Sequence, residues 1–313
     1  MKLRFFLCII ATVSCAYPIS LVYNLKIRRA FPGLDDLLRK PNGKTWVVTA
    51  VPIVYNVDRS ITSQIFNIDA FQNHFLFGSL INIAFVPKKG YWVEVTSAIE
   101  HERAKSKGMP TFNTSKTGVD DIVIAGGKNI FFGNKKTQLS IFGLVGFPTT
   151  WKVTAFDAQD ALVGTRFYGI AAGAELSHAL LQNHKQALIF FLQTRLLHFF
   201  DRKWEPILPV GGRIQPGNVS DYIFALRYRH IQTMMEVGFN ETIFTNQAVK
   251  FSGQTVASSA YYRHSFFARL NYLTMRLPMT NKPGSFGGGF LVSRAKRFNT
   301  KIVSGWINVA TAF

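Results

Sequence analysis

Charged residues recur at even spacing within otherwise apolar stretches of this 313-residue chain. Arg227 and Arg229 stand two apart, as do Glu100 and Glu102, and Glu94 shares their parity. Even spacing is the period of an extended strand, on which such residues share one face. By the same alternation Arg195, Arg269, Glu175 and Glu236 fall on the polar faces of their own stretches. Acids on one wall and arginines on another would set a field across a narrow passage, which selects ions and orients solutes. Paired with each other, the same groups would be salt bridges that fill it. The residues leave both readings open.

Other chemistry is thin. A hydrolase would need a histidine beside a serine and an orienting group. His178 has Gln193 and Thr194, but no serine, on the stretch that follows it. His101 shares its face with Ser97 without an evident third partner, and His264 and Ser265 point opposite ways on a strand. A barrel protease would use acids and a histidine near a rim, where Glu100, His101 and Glu102 stand. His178, His184 and His198 lack metal-site spacing. No catalytic residue, metal or cofactor is expected, and a phospholipase or protease remains the alternative.

The elements that must position these residues are strands. Strand patterns cover 45–57, 73–86, 92–104, 121–132, 137–147, 166–180, 186–199, 221–229, 231–243, 264–277, 285–297 and 302–313, about twelve in all. One face of the second carries Phe75, Phe77, Ser79, Ile81, Ile83 and Phe85. In the eighth, Tyr222, Phe224, Leu226 and Tyr228 alternate with Ile223, Ala225, Arg227 and Arg229. Pro52, inside the first, fits the start of a sheet or a bulge better than a central strand. The links alternate in length except the last, 299–301, which is short where a long one is due. Short ones lie at 87–90, 133–136, 182–185, around His230 and at 278–284. Long ones lie at 58–72, 105–120, 148–165, 200–220 and 244–263. No window beyond residue 16 has the roughly 18 uninterrupted apolar residues of a membrane helix. The layout predicts an all-β fold: a transmembrane antiparallel up-and-down β-barrel over 45–313, with short periplasmic turns and long extracellular loops.

Composition agrees. Hydrophobic residues make up 48% and the net charge is +19, with 29 phenylalanines. Such a charge calls for anionic partners. Zinc spacing, an RRM-type aromatic signature and a basic helix are all missing, so nucleic acid is not expected. Anionic lipid and lipopolysaccharide, or an acidic or aromatic small-molecule solute, fit better. Residues 1–16 read as a secretory signal, with Lys2 and Arg4 ahead of an apolar run and Ser14-Cys15-Ala16 at the cleavage site. Acylation at Cys15 is disfavoured by Thr12. Both cysteines, Cys8 and Cys15, lie in that leader. Residues 17–44 form an N-terminal extension, periplasmic, folded into the barrel mouth or a disordered leader.

The last stretch, IVSGWINVATAF, puts Val303, Ile307 and Val309 on one face and ends on Phe313. It resembles the β-signal that the barrel-assembly machinery reads in bacterial outer-membrane proteins. The run GVDDIVIAGGKNIFF from Gly118, the turn GNKK and LSIFGLVGFPT resemble the outer-membrane barrels named for the meta-pathway of phenol degradation, loosely related to fatty-acid transporter porins. DYIFALRYRH with QTMMEVGFN is similar to a hairpin of that type. The likeness is moderate over 118–313 and poor before it, and Val119 departs from the usual glycine of the motif. The resemblance implies uptake of small, often hydrophobic, solutes across the cell outer membrane, and it transfers no catalytic residue. The expected function is an outer-membrane channel or transporter whose lumen is lined by Arg195, Arg227, Arg229, Arg269, Glu94, Glu100 and Glu236; a structural or adhesive barrel with a plugged lumen is a further alternative.

Overall fold

The computed structural model describes residues 45–312, apart from 64–67, 88–89, 109–111, 134–135, 150–164, 166, 205–211, 246, 252–253, 259, 275–282 and 297–298. The expected leader (1–16), the extension (17–44) and Phe313 lie outside the described residues.

The described elements are all strands. They are β1 (Thr45–Ser63), β2 (Ile68–Val86), β3 (Tyr91–Gly108), β4 (Phe112–Val119), β5 (Ile122–Phe132), β6 (Thr137–Phe147), β7 (Gly169–Gln182) and β8 (Gln186–Phe199). Then follow β9 (Arg202–Trp204), β10 (Gly212–Gln215), β11 (Asn218–His230), β12 (Thr233–Phe244), β13 (Gln247–Phe251) and β14 (Gln254–Ser258). The last are β15 (Tyr261–Thr274), β16 (Gly284–Ala295) and β17 (Thr300–Ala312). Thirteen form one antiparallel sheet in which β1 pairs with both β2 and β17, so the sheet closes on itself. β4 and β5 follow one another along β3, which makes twelve staves. The ring β1-β2-β3-β5-β6-β7-β8-β11-β12-β15-β16-β17 pairs every member on both sides, the condition for strands to cross lipid.

Alternation decides the faces. Along β11, Tyr222, Phe224, Leu226 and Tyr228 are exposed, while Asp221, Ile223, Ala225 and Arg227 are buried. Outward residues around the barrel are mostly aliphatic or aromatic, among them Phe75, Phe77, Ile81, Val145, Phe266 and Ile307. Tyr228 and Tyr272 sit near the short turns, where each bonds a glutamine, Gln186 and Gln232 respectively. A ring with an apolar body and a polar tip suits that interfacial level.

Inside, bulky rings pack over glycines of the next stave. A Cβ on Gly173 would come within 2.4 Å of the Phe142 ring, and one on Gly238 within 2.4 Å of Phe267. Trp92 and Trp306 lie in the same way over Gly127 and Gly289. A twelve-stave barrel is narrow enough for side chains to take up much of its interior.

Four expectations change. The connections 58–72 and 105–120 are largely strand: β1 and β2 run on as a hairpin to Ser63 and Ile68, and β3 pairs with β4. They read as loops because beyond the membrane level they lack an apolar face. The connections 200–220 and 244–263 share a second sheet, in the order β14-β13-β10-β9. Pro52 lies within a central stave: the β1–β2 ladder runs through it, and the β1–β17 ladder omits Val51 and Pro52. The missing N–H is thereby accommodated at one seam. Ile231 belongs to the two-residue turn before β12 rather than to the strand, at φ 49°.

Candidate functional site: the charged interior

The site begins with a change of phase between β4 and β5. Val119 is opposite Ile99, and Val123 is opposite Thr96, so Asp120, Asp121 and Ile122 face only Ser97 and Ala98. This is a β-bulge, which shifts side-chain parity by one residue. The Asp120 N–H donates to the Ala98 carbonyl at 2.8 Å, and Ser97 Oγ donates to the Asp120 carbonyl at 2.9 Å. Both aspartates are fully buried as a result. Asp121 accepts from the Thr165 N–H at 2.8 Å and from its hydroxyl, tying down the start of the segment that leads to β7.

The acids gather on one arc. Glu100, Glu102, Asp120, Asp121 and Glu175 are buried on β3, the bulge and β7, and Glu94 is half-buried. Asn82 Nδ2 donates to Glu94 at 3.0 Å, and His74 Nδ1 lies 2.8 Å from Glu102 Oε1. No lysine or arginine among the described residues of β2 to β7 is buried.

The next arc, β8 to β15, carries the arginines. Arg195, Arg227, Arg263 and Arg269 are buried and Arg229 is half-buried. Among the described residues of β8, β11, β12 and β15 these five guanidiniums share the inward parity with two carboxylates, Asp221 and Glu236, while the half-buried Glu241 has the outward parity.

The arginine arc has two levels. Toward the long loops, Arg195, Asp221, Thr242 and Arg263 are direct neighbours on β8, β11, β12 and β15. Arg195 Nη2 meets Asp221 Oδ2 at 2.8 Å, Thr242 donates to Asp221 Oδ1 at 2.8 Å, and Arg263 donates to Thr242 at 3.3 Å. About 20 Å further along β11, at 3.3 Å per residue, Arg227, Glu236 and Arg269 form a second row. Glu236 accepts from Arg227 Nε at 2.7 Å through one oxygen and from Arg269 Nη2 at 2.7 Å through the other. The Arg227 guanidinium also lies 4.2 Å from the Phe191 ring centre, within cation–π range.

Of the charges expected in the interior, Arg195, Arg227, Arg269, Glu100 and Glu236 are buried, and Arg229 and Glu94 are half-buried. Arg227 and Arg269 bind Glu236 on the stave between them, because cross-strand neighbours are close enough to touch. Asp221, Thr242, Arg263, His74 and the two aspartates of the bulge were not singled out from the sequence. Asp221 shares parity with Arg227, and Arg263 with Arg269, so the signal existed for both.

The interior is not uniformly polar either. Val47, Val51, Ile53, Tyr55 and Val57 of β1 are buried, with Leu76, Leu80 and Ala84 of β2 beside them. Ile307 and Val309 face outward on β17. Of the histidines weighed for catalysis, His101 and His178 are exposed and bond threonines, Thr117 and Thr137, each at 2.8 Å. His264 is exposed, whereas Ser265 is buried against Ser293. Among the described residues no group of three His, Cys, Asp or Glu side chains could hold a metal ion.

This closed barrel, apolar outside and charged inside, has the fold of outer-membrane β-barrels. The chain is similar to an outer membrane channel from Pseudomonas putida F1, with a TM-score of 0.59 at 13% identity over 88% of this chain and 97% of that one. It is also similar to the transport unit of the autotransporter AIDA-I from Escherichia coli, with a TM-score of 0.54 at 10% identity over 94% and 98%. At such identities the likeness is one of fold. The sequence matches no family model and none of the curated proteins.

Proposed function

We propose that the chain is an outer-membrane channel for small solutes, with the charged interior as its passage. The observation that carries this is the division of the inner wall into an acidic arc and an arginine arc. A barrel serving only as a membrane anchor has no need to separate its buried charges by sign. The protein named as a channel among the similar structures supports the same reading. In this reading the long connections and their sheet face the outside and the short turns face the periplasm. Lipopolysaccharide and lipid cover the outer face. Arg227, Glu236 and Arg269 form the selective level.

One observation favours a second reading, a barrel whose lumen is plugged. The arginines are clamped by Glu236 and Asp221 and are buried rather than wet. Conductance of the refolded protein in a planar bilayer separates the two when Arg227 and Arg269 are replaced together by Ser. A channel conducts before the change, and afterwards keeps or raises its conductance while losing anion preference. A plugged barrel is silent before and conducts after. No change in either property removes both arginines from the passage.

A further inference from the structure

The second sheet carries a row of cations that the interior site does not use. Lys203 on β9 is the direct partner of Arg213 on β10, which is the direct partner of Lys250 on β13, next to Thr255 on β14. Direct partners in antiparallel strands project from the same face. Lys203, Arg213 and Lys250 are all exposed, and like charges placed opposite one another destabilise a sheet. Among the described residues the carboxylate that meets them is Asp201, 3.7 Å from Arg213 and bonded as well by Gln215 Nε2 at 2.8 Å. Counted over those described residues, the row is three cations to one carboxylate.

The row stands over a particular part of the barrel. β9 continues from β8, β10 leads into β11, β13 follows β12, and β14 leads into β15. These four staves are the arginine arc. At the root of the sheet the Thr245 N–H donates to the Asn218 carbonyl at 2.9 Å, and Thr245 Oγ1 accepts from the Asn218 N–H at 2.7 Å. The two sheets share one register: Lys203 pairs with Arg213 in the register of Arg195 with Asp221, and Arg213 with Lys250 in the register of Asp221 with Thr242. Lys250 and Thr255 keep the register of Thr242 and Arg263. All three ladders of the second sheet thus continue those of the arginine arc.

Resting on the channel reading, we infer that Lys203, Arg213 and Lys250 form an anion-collecting strip at the mouth, which passes small carboxylate or phosphate solutes to Arg263 and Arg195. The strip raises the local anion concentration above the first arginine level and leaves binding geometry to the buried guanidiniums. Its effect is long-range, so it is screened by salt: the Debye length is about 10 Å at 0.1 M and about 3 Å at 1 M.

The test is the triple variant Lys203→Gln, Arg213→Gln and Lys250→Gln, with Lys203→Arg, Arg213→Lys and Lys250→Arg as the charge-conserving control. Benzoate and inorganic phosphate currents are measured in planar bilayers at about 0.1 M and about 1 M salt. The neutral variant loses roughly three- to tenfold of the anion current at low salt and nothing at high salt, and the control loses nothing. Equal currents at low salt, or a loss that persists at high salt, overturn the strip while the channel stands. A loss seen only in bilayers containing lipopolysaccharide makes the row a lipid contact and overturns it as well. If the unmodified protein is silent, the channel reading fails, and equilibrium dialysis of phosphate against the detergent-solubilised protein decides the strip. Salt-sensitive retention lost in the neutral variant upholds it, and retention equal in the two sinks it.

Discussion

Glu236 is where the arginine arc is most exposed to a single change. Its two oxygens each take one guanidinium bond of 2.7 Å, and all three side chains are 3% exposed. Glu236→Gln keeps the volume and one acceptor but removes the charge that both arginines share. A charge-assisted bond contributes about 1.5–3 kcal/mol, and breaking a buried ion pair from one side costs about 3–5 kcal/mol. The expected loss is therefore about 3–5 kcal/mol. Arg227→Met should cost less, about 1.5–3 kcal/mol, because Glu236 keeps Arg269. Replacing all three residues by Met should come out near neutral. Reversible urea unfolding in lipid vesicles, followed by tryptophan emission, measures the ranking, with Trp92 and Trp306 as interior reporters. In the channel reading the same Glu236→Gln protein gains anion preference, the opposite sign to removing Arg227 and Arg269. A Glu236→Gln variant within about 1 kcal/mol of the unmodified protein, or one more stable than Arg227→Met, would refute the shared clamp.

Three further outcomes follow from the geometry. Gly238→Ala places a methyl 2.4 Å from the Phe267 ring and 2.8 Å from the Phe224 carbonyl. It should lower stability by about 1–3 kcal/mol, and Gly238→Ala with Phe267→Leu should recover part of that in the same unfolding assay. Ile231 holds φ 49° in a two-residue turn, a conformation that costs a non-glycine residue about 1–2 kcal/mol; Ile231→Gly should raise the unfolding midpoint, and a fall would mean the turn is drawn wrongly. With Cys8 and Cys15 replaced by Ser, a single cysteine at Lys250 or Thr255 should react with an impermeant thiol reagent on intact cells, and one at Gly133 or His184 should not; the reverse would invert the barrel in the membrane.

Parity carried most of what the sequence could show. Arg227 shares its phase with Ile223 and Ala225, and the other face of that strand is the apolar and aromatic row Tyr222, Phe224, Leu226 and Tyr228, so alternation assigns the arginine to the interior. Parity fails where both faces look alike. On β1, Val47, Val51, Ile53 and Val57 point in while Trp46, Val48, Ala50 and Val54 take the other face. Nothing in that string distinguishes core from lipid, which is why Pro52 could pass for the start of a sheet. Parity also fails where the phase slips. Asp120 and Asp121 both turn inward only because a bulge inserts one residue.

Partners are a different matter from faces. Which carboxylate meets Arg227 depends on register between staves, and register is set by turn length and by such bulges, not by either strand's own pattern. The Ile231–Gln232 turn fixes His230 opposite Thr233, and from there Arg227 falls beside Glu236. A turn one residue longer would shift the ladder by a residue, set Arg227 opposite Val237 and turn Glu236 to the outer face. The arginine arc is thus specified twice. Alternation sends the guanidiniums inward, and a two-residue turn decides that Arg227 meets Glu236 on the adjoining stave.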